Sequence, residues 1–302
     1  MKTGMLWTTR RARDIVGRQN HRLRDRSLAR EEHAAAAELG RAVLNGPPPA
    51  DLLRRVRELR QRRELGRDFD SCRPWVTGFV IDGQTYGGAF RPPVRLREQF
   101  AQAFPAVRTI LELGSLEGGH TFPLAGLVGV ERVVAIEGRS ENVERARVVQ
   151  RGLGVQDVEF VIGDLETMEI AALGSFDAVF CTGLLYHLPR PWELLRRLAV
   201  VSDRIYVWTQ CADEAISGHE AGGYAGRSYD EWGRWEPLSG LSPTSFWPTR
   251  DELLRMLADA GFAHVHVFGE EQVPRRGPAV MLAAASRAEL MAVTSAASLQ
   301  QA

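Results

Sequence analysis

The chain has 302 residues, of which 44% are hydrophobic and 25% are charged, a composition typical of a globular protein that folds in water. It contains neither a run of about 18 apolar residues nor an apolar export signal, so the sequence predicts a cytoplasmic protein without a membrane span. Three widely spaced cysteines indicate neither a zinc site nor a disulfide framework. The net charge is zero, but residues 1–100 hold 21 Lys/Arg and 12 Asp/Glu, whereas residues 101–302 hold 17 and 26.

Residues 1–74 are predicted to form a basic, helical N-terminal extension. One helix covers about residues 27–44 and stops at a Gly and three prolines, and a second begins near Asp51. Neither helix can bury much apolar surface alone, so we expect them to pack on the main domain or on a second copy of the chain. Their arginines could hold RNA or an anionic substrate, but solvated or docked helix surfaces are the commoner use of such charge.

Residues 75–90 are predicted to form a β-hairpin, because Asp82-Gly83 separates two runs of β-type residues. Tyr86 in this hairpin is a candidate substrate contact, although packing is the commoner role for a single aromatic side chain. We assign residues 75–286 to the main domain and residues 287–302 to a C-terminal tail.

Strands and helices alternate regularly after residue 90. Strands are predicted over residues 109–113, 132–136, 158–162, 176–181, 204–208, 262–268 and 279–285, and helices over residues 94–104, 122–127, 141–152, 191–200 and 249–260. This order predicts an α/β fold with a doubly wound, mostly parallel, seven-stranded sheet. The last two strands have no helix between them, which predicts an antiparallel edge. Ligands of such sheets bind at the carboxyl ends of the strands.

A glycine-rich turn follows the first strand of this sheet. Gly114, Gly118 and Gly119 allow a sharp turn and a close approach of a ligand to the backbone. The turn does not continue into Gly-Lys-Ser/Thr, and Glu112 places a negative charge where a phosphate would bind. The stretch is therefore not expected to be a nucleotide P-loop.

The next two strands also end in acidic residues. Glu137 lies 23 positions after Gly114, close to the spacing of about 20 residues expected for a carboxylate that binds ribose hydroxyls. Asp164 ends the third strand and could accept a hydrogen bond from an adenine amino group. Either acid alone is as often a loop residue or a helix cap. Acids at three successive strand ends indicate a nucleoside site.

Together these motifs resemble those of the class I S-adenosylmethionine-dependent methyltransferases. The resemblance covers about residues 75–286 and rests on Leu111-Glu112-Leu113-Gly114 through Gly119, Ala135-Ile136-Glu137, Gly163-Asp164-Leu165, Phe176 to Cys181, and Leu184 to Pro189. It implies a Rossmann-like methyltransferase fold, with S-adenosyl-L-methionine as cofactor. One departure is Leu116, which stands at the middle position of the family's usual Gly-x-Gly-x-Gly.

The resemblance also implies which residues bind the cofactor. Glu112 would lie beside the methionine moiety because a carboxylate favours the ammonium and sulfonium groups. The full set is Glu112, Gly114, Gly118 and Gly119 on the methionine side, Glu137 at the ribose, Asp164 and Leu165 at the adenine, and Cys181 near the transferable methyl.

His187 is the candidate general base. A hydroxyl nucleophile must lose a proton during methyl transfer, and His187 lies on the loop expected to face the methyl group. Capping the next helix or packing within the loop is the commoner role for a histidine there. His120, His264 and His266 are interpreted as structural residues.

Residues 210–247 form an unusually long connection, interpreted as an irregular, aromatic-rich lid over the substrate. Candidate substrate contacts are Tyr186 before the lid and His219, Tyr224 and Trp235 within it. The same aromatics could instead form the contact of a homodimer. Acidic residues and His219 in this stretch are the only metal-ligand types near the site, and no metal site is expected.

The sequence favours an O-methyltransferase that acts on a small molecule, either a specialised metabolite from natural-product biosynthesis or a sugar-containing acceptor. An RNA-modifying enzyme is the second hypothesis, because the loop at Tyr186-His187 also resembles one in transferases that modify the tRNA wobble uridine. A third is a protein that uses the cofactor without methyl transfer, as a cyclase or a binding protein. Salt-dependent association with RNA and product formation from the cofactor distinguish the three.

Overall fold

A computed structural model describes residues 25–44, 46–214, 218–233, 236–273 and 277–293. The chain divides into two compact units: unit 1 contains residues 1–90 and 147–154, and unit 2 contains residues 91–146 and 155–302. The predicted boundary after residue 74 therefore falls inside unit 1, because the hairpin groups with the N-terminal helices. None of the described helices is long and apolar enough to cross a membrane.

The described residues of unit 1 form two helices, a hairpin and the end of a further helix. Helix α1 covers residues 25–43, α2 runs from Ala50–Ser71, and strands β1 (Gly78–Ile81) and β2 (Gln84–Gly87) pair antiparallel. Ala35 of α1 packs against Val56 and Leu59 of α2. The two predicted helices are thus confirmed, and their apolar faces cover each other.

The arginines of α2 bind acids of α1. Arg63 lies 3.1 Å from both Asp25 and Glu32, and Arg60 lies 3.3 Å from Glu32. Such partly exposed pairs contribute at most about 1 kcal/mol each. Some arginines of the basic extension are therefore already paired with acidic residues of unit 1.

The predicted hairpin turn is confirmed. Asp82 and Gly83 have φ values of 49° and 70°, as a type I′ turn requires at both central positions. Tyr86 is only 3% exposed and stacks on Phe69 with 4.8 Å between the ring centroids. The packing role that sequence reasoning favoured for this tyrosine is the one observed.

Unit 2 carries the main sheet and most of the remaining helices. Its elements, in chain order, are α3 (Val94–Ala103), β3 (Thr109–Leu113), α4 (Thr121–Ala125), β4 (Arg132–Glu137), α5 (Ser140–Leu153, whose last residues group with unit 1), β5 (Val158–Ile162), β6 (Ala178–Thr182), α6 (Pro191–Val201), β7 (Arg204–Gln210), β8 (His219–Ala221), β9 (Tyr224–Asp230), β10 (Thr244–Pro248), α7 (Arg250–Ala260), β11 (His264–Val273) and β12 (Gly277–Ala285).

The seven-stranded sheet has the order β11-β12-β7-β6-β3-β4-β5. From β3 the chain continues outward through β4 and β5, and then returns to place β6 and β7 on the other side of β3. This reversal puts the topological switch point, where ligands of such sheets bind, at the carboxyl ends of β3 and β6. The predicted doubly wound sheet is confirmed.

The antiparallel strand is not at the edge. Strand β12 runs antiparallel to both β7 and β11, so it is second from the edge, and the edge strand β11 is parallel to the rest. Only three residues separate β11 from β12, which is too short for a crossover and requires a hairpin. The final strand occupies the place beside β7.

The insertion after β7 is more regular than predicted. Strands β8, β9 and β10 form a separate antiparallel sheet in the order β10-β9-β8. Ser245 lies opposite Tyr229, and Trp247 lies opposite Arg227. Because side chains alternate along a strand, these four residues share one face of the small sheet. Short strands with several glycines hid this sheet from sequence reading.

Candidate functional site

The glycine-rich turn closes the carboxyl end of β3. Gly114 has φ +70°, and a Cβ there would stand 3.1 Å from Leu184 Cδ1. Gly118 has φ +84°, and its Cβ would stand 2.6 Å from a ring carbon of Phe122. Both positions therefore favour glycine. Gly119 follows directly and is half-buried.

Leu116 adopts the conformation that a glycine would take at this position. Its φ is +52°, in the left-handed region that costs an ordinary residue about 1–2 kcal/mol. The Leu116 amide donates a hydrogen bond to Glu137 Oε2 at 2.9 Å. The departure from Gly-x-Gly-x-Gly thus leaves the turn in place and ties it to the next strand.

Glu137 is buried at the end of β4. Besides the Leu116 amide, it accepts hydrogen bonds at Oε1 from the Arg139 amide at 3.0 Å and from Asn142 Nδ2 at 3.1 Å. Burial raises the pKa of this carboxyl, and the hydrogen bonds lower it by less. A carboxylate offers about four acceptor sites. One is left for a ligand hydroxyl, as the predicted ribose contact needs.

Three polar side chains beside the turn have buried atoms without hydrogen-bond partners among the described residues: Glu112 Oε2, Ser115 Oγ and Thr121 Oγ1. Burial raises the pKa of Glu112 to about 8. The nearby Thr121 hydroxyl lowers it by less and falls short of a well-formed hydrogen bond, and the charge of Glu137 raises it further. Buried polar atoms are normally paired. This cluster therefore fits a polar, cationic ligand group.

Asp164 follows the carboxyl end of β5. It is half-buried, and its Oδ1 accepts a hydrogen bond from the Glu166 amide at 3.0 Å. Leu165 is buried, and its carbonyl accepts a hydrogen bond from Arg197. Hydrogen bonds thus hold the backbone around both predicted adenine contacts, and the second carboxylate oxygen of Asp164 receives none from the described residues.

Cys181 lies in β6, beside the switch point. Its side chain is fully buried, and burial raises the pKa of the thiol to about 12. The thiol is therefore neutral and serves as packing surface rather than as a nucleophile.

His187 ends a short 3₁₀ helix, Leu185–His187, that follows β6. Its Nδ1 lies 3.0 Å from Glu231 Oε1, and the Glu231 side chain is 2% exposed. Glu231 comes from the end of β9 and was not identified as a site residue from the sequence. It is the one acidic partner that the described residues give to His187.

Glu231 is surrounded by donors. Its Oε1 also accepts from Ser245 Oγ at 2.8 Å, and its Oε2 accepts from Ser239 Oγ at 2.5 Å and from the Gly240 amide at 2.8 Å. Burial acts to raise the pKa of Glu231, but hydrogen bonds from His187, Ser239 and Gly240 outweigh it and lower the pKa to about 2. An ionised carboxylate only accepts, so His187 must carry a proton on Nδ1, and Nε2 is then the acceptor of the neutral ring.

An aromatic cluster adjoins this pair. The Tyr186 ring lies 4.2 Å from the His187 ring, and it makes edge contacts with Trp208 at 5.9 Å and Trp247 at 5.7 Å. Tyr229 stacks on Trp247 at 4.8 Å. Aromatic walls with few polar groups are typical of small-molecule sites.

Polar groups accompany these rings. The guanidinium of Arg227 lies 5.6 Å from the centre of the Tyr229 ring and 5.8 Å from that of Trp247. Trp247 Nε1 and Gln210 Oε1 are buried and have no partner among the described residues. Because buried polar atoms are normally paired, Trp247 Nε1 and Gln210 Oε1 are candidates for a ligand contact.

Residues 111–202 match the family model described as "Methyltransferase domain". The N-terminal domain of EvdMO1, solved in the presence of SAH and D-fucose, is 36% identical, with a TM-score of 0.69. The match covers 75% of this chain and 97% of that one. This chain belongs to the class I S-adenosylmethionine-dependent methyltransferases. The complete EvdMO1 structure is 34% identical, with a TM-score of 0.61, over 74% of this chain and 47% of that one.

Two curated relatives match shorter parts of this methyltransferase. Ubiquinone biosynthesis O-methyltransferase of Xanthomonas axonopodis pv. citri (strain 306) is 35% identical over 107 residues, which are 35% of this chain and 44% of that protein. The tRNA U34 carboxymethyltransferase of Cronobacter sakazakii (strain ATCC BAA-894) is 28% identical over 140 residues, 46% of this chain and 43% of that protein. The chain thus spans less than half the length of either relative.

The methyltransferase fold brings only some of the predicted substrate contacts to His187. Tyr186 adjoins it, whereas Tyr224 and His219 lie on the opposite face of the small sheet. Tyr224 donates to Asp259 at 2.8 Å and packs on Trp192, and His219 is exposed beside Phe246. Tyr224 is a packing residue and His219 is a surface residue, because side chains alternate along a strand and theirs point to the face opposite Arg227 and Trp247. Trp235 lies outside the described residues, and Tyr86 belongs to unit 1.

Sequence reasoning missed Glu231 and Arg227 as members of the candidate site. The signal that could have found them is their alternation: residues 227, 229 and 231 repeat every second position, as in a strand with one functional face. His120 fits its structural interpretation, since burial lowers its pKa to about 4 and its ring packs 5.3 Å from that of Phe180. Among the described residues, no group of three His, Cys, Asp or Glu side chains could hold a metal.

Proposed function

We propose that this methyltransferase transfers a methyl group from S-adenosyl-L-methionine to a hydroxyl of a small, sugar-containing acceptor, such as a natural product. The observation that carries the proposal is the 3.0 Å pair of His187 and Glu231 beside the aromatic cluster. Support also comes from two similar proteins, one named as an O-methyltransferase and one crystallised with SAH and D-fucose.

The buried groups of unit 2 fit the cofactor. Glu112 with its free Oε2 would lie at the cationic methionine part, Glu137 would hold the ribose, and Asp164 would hold the adenine. When bound, the cofactor supplies a methyl carbon that is already activated for in-line displacement. The protein has to align the acceptor and exclude water.

His187 accepts the proton of the acceptor hydroxyl at Nε2. Glu231 keeps the Nδ1 tautomer and orientation of the ring, and its negative charge stabilises the imidazolium that forms. Glu231 can do this without being protonated itself, because four hydrogen bonds hold its carboxylate in the ionised form.

The acceptor would bind on the face that Arg227 shares with Trp247 and Tyr229. Flat apolar faces of a sugar ring can stack on the aromatic rings. Sugar hydroxyls can pair with the Arg227 guanidinium and with the unpartnered Trp247 Nε1 and Gln210 Oε1. Pairing these buried atoms would add affinity, because an unsatisfied buried polar group costs about 1–3 kcal/mol.

Formation of S-adenosylhomocysteine from a panel of glycosides and phenols tests the proposal. His187→Ala should lower kcat by about 10²–10⁴-fold and leave cofactor affinity unchanged, as expected for removal of a general base. His219→Ala is the matched control, because His219 is exposed on the other face of the small sheet. Wild-type turnover of His187→Ala would remove this histidine from the mechanism.

An RNA substrate is the second candidate, favoured by the similarity to the tRNA U34 carboxymethyltransferase and by the arginine-rich extension. If RNA is the acceptor, the purified protein should retain RNA at low salt and lose it steeply as salt rises, since phosphate contacts are salt-dependent. Absence of bound RNA at about 50 mM salt would leave the small-molecule acceptor as the better reading.

A further inference from the structure

The loop that joins β9 to β10, residues 231–243, is bound by one arginine from another part of the sheet. Arg139 follows β4, and its Nη2 donates hydrogen bonds to the carbonyls of Gly233 at 3.4 Å, Glu236 at 3.1 Å and Ser239 at 2.8 Å. Three backbone carbonyls of this loop thus converge on a single guanidinium. We call residues 231–243 the bridging loop.

The same arginine touches the predicted ribose acid. The Arg139 amide donates to Glu137 Oε1 at 3.0 Å, so its backbone is fixed by the carboxylate while its side chain holds the bridging loop. Its neighbour Gly138 lies against the loop as well, since a Cβ at Gly138 would stand 2.5 Å from Leu241 Cδ1. The end of β4 and the loop are in close contact.

A second attachment lies at the next strand end. Ser242 of the bridging loop donates a hydrogen bond to Glu166, one residue after the predicted adenine contacts Asp164 and Leu165. The loop is therefore attached at the two strand ends that are predicted to hold the two halves of adenosine.

The bridging loop also carries the partner of His187. Ser239 gives its carbonyl to Arg139 and its hydroxyl to Glu231 Oε2, and Glu231 Oε1 accepts from His187 Nδ1. An unbroken series of hydrogen bonds thus runs from Glu137 through Arg139, Ser239 and Glu231 to His187. All of these residues lie in unit 2.

We propose that Arg139 is a positioning residue that couples cofactor binding to the orientation of His187. A nucleoside bound at Glu137 restrains the end of β4, Arg139 passes this restraint to the bridging loop, and the loop fixes Glu231 against the histidine. Arg139 suits this role because a planar guanidinium presents several donors in a rigid fork. The catalytic consequence rests on the proposed role of His187, and the coupling of cofactor and loop rests on the proposed ribose contact of Glu137.

Hydrogen exchange of the peptides that cover residues 236–241 tests the coupling without any acceptor. In the wild type, saturating S-adenosylhomocysteine should slow exchange there by about 5–150-fold, the usual range for coupled sites. In Arg139→Gln this slowing should nearly disappear. Because coupling is reciprocal, calorimetry should show weaker S-adenosylhomocysteine binding by the same factor.

Arg132→Gln is the matched control, because Arg132 lies at the other end of β4 in an exposed pair with Glu159. It should keep wild-type protection. If Arg139→Gln is poorly folded by circular dichroism, Arg139→Met, which keeps the apolar stem but not the donors, replaces it. If S-adenosylhomocysteine slows hydrogen exchange of the bridging loop in either folded variant as much as in the wild type, the proposal is overturned.

Kinetics separate this role from a general loss of binding. At saturating cofactor, Arg139→Gln should still show a lowered kcat, because the loop no longer fixes the base, whereas a pure binding defect would raise KM alone. An unchanged kcat would limit Arg139 to cofactor binding and contradict its positioning role. Failure of the proposed base would instead appear as full activity of His187→Ala with the exchange result intact.

Discussion

Cofactor binding should release a proton from Glu112. With a pKa of about 8 in the free protein, this carboxyl is about 97% protonated at pH 6.5. An opposite charge nearby lowers a carboxyl pKa by about 1–3 units. S-adenosyl-L-methionine brings two positive groups to this site, so binding should release about 0.2 to 0.9 proton at pH 6.5.

Calorimetric titration at pH 6.5 in two buffers of different ionisation enthalpy measures this release as the difference between the apparent binding enthalpies. At this pH the amino group of the cofactor, with a pKa near 8, is already mostly charged. His120 does not contribute, because its pKa of about 4 keeps it neutral in both states.

Glu112→Gln keeps the size and hydrogen-bonding capacity of the side chain but has no proton to lose. It separates Glu112 from Glu137, whose pKa is also raised. S-adenosylhomocysteine, which lacks the sulfonium charge, should release less than S-adenosyl-L-methionine. If the apparent binding enthalpy differs between the two buffers by the same amount in the wild type and in Glu112→Gln, Glu112 does not bind the cationic part of the cofactor.

Three further outcomes are expected from single substitutions. Glu137→Ala should weaken S-adenosylhomocysteine binding by at least about tenfold in calorimetry, the value of one charged hydrogen bond, and unchanged affinity would refute the ribose assignment. Gly118→Ala should lower the unfolding free energy, measured by denaturant unfolding, by about 1–3 kcal/mol because of its positive φ and its contact with Phe122. Gly126→Ala is the control and should lose less, because Gly126 has φ −81° and the nearest atom would lie 3.6 Å from its Cβ. The folded pKa of Glu112 lies above the ordinary 4.5, so the cofactor-free protein should lose stability as pH rises from about 4.5 to 8. In Glu112→Gln this loss should be smaller. Melting temperatures that fall equally steeply with pH in both proteins would contradict a buried carboxyl at this position.

The sequence by itself determined the class of the main sheet and the grouping of three acidic residues at one edge of it. Strand β3 has its predicted bounds, Thr109–Leu113, because buried parallel strands are short apolar runs that local composition reveals. Glu112, Glu137 and Asp164 could be grouped without coordinates, since parallel strands bring their carboxyl ends to one edge. Glycine turns and strand ends depend on a few neighbouring residues, so the residue types in a short segment are enough to predict them.

Only the tertiary structure decided which residues complete the site. Glu231 meets His187 across 44 positions of sequence, and Arg139 meets Ser239 across 100. Those contacts depend on the register of three short strands, which also turned Tyr224 and His219 away from the histidine. A shift of one residue in the pairing of these strands would move every side chain of the shifted strand to the other face of the small sheet. No local pattern carries that information, because it is set by packing between segments distant in the chain.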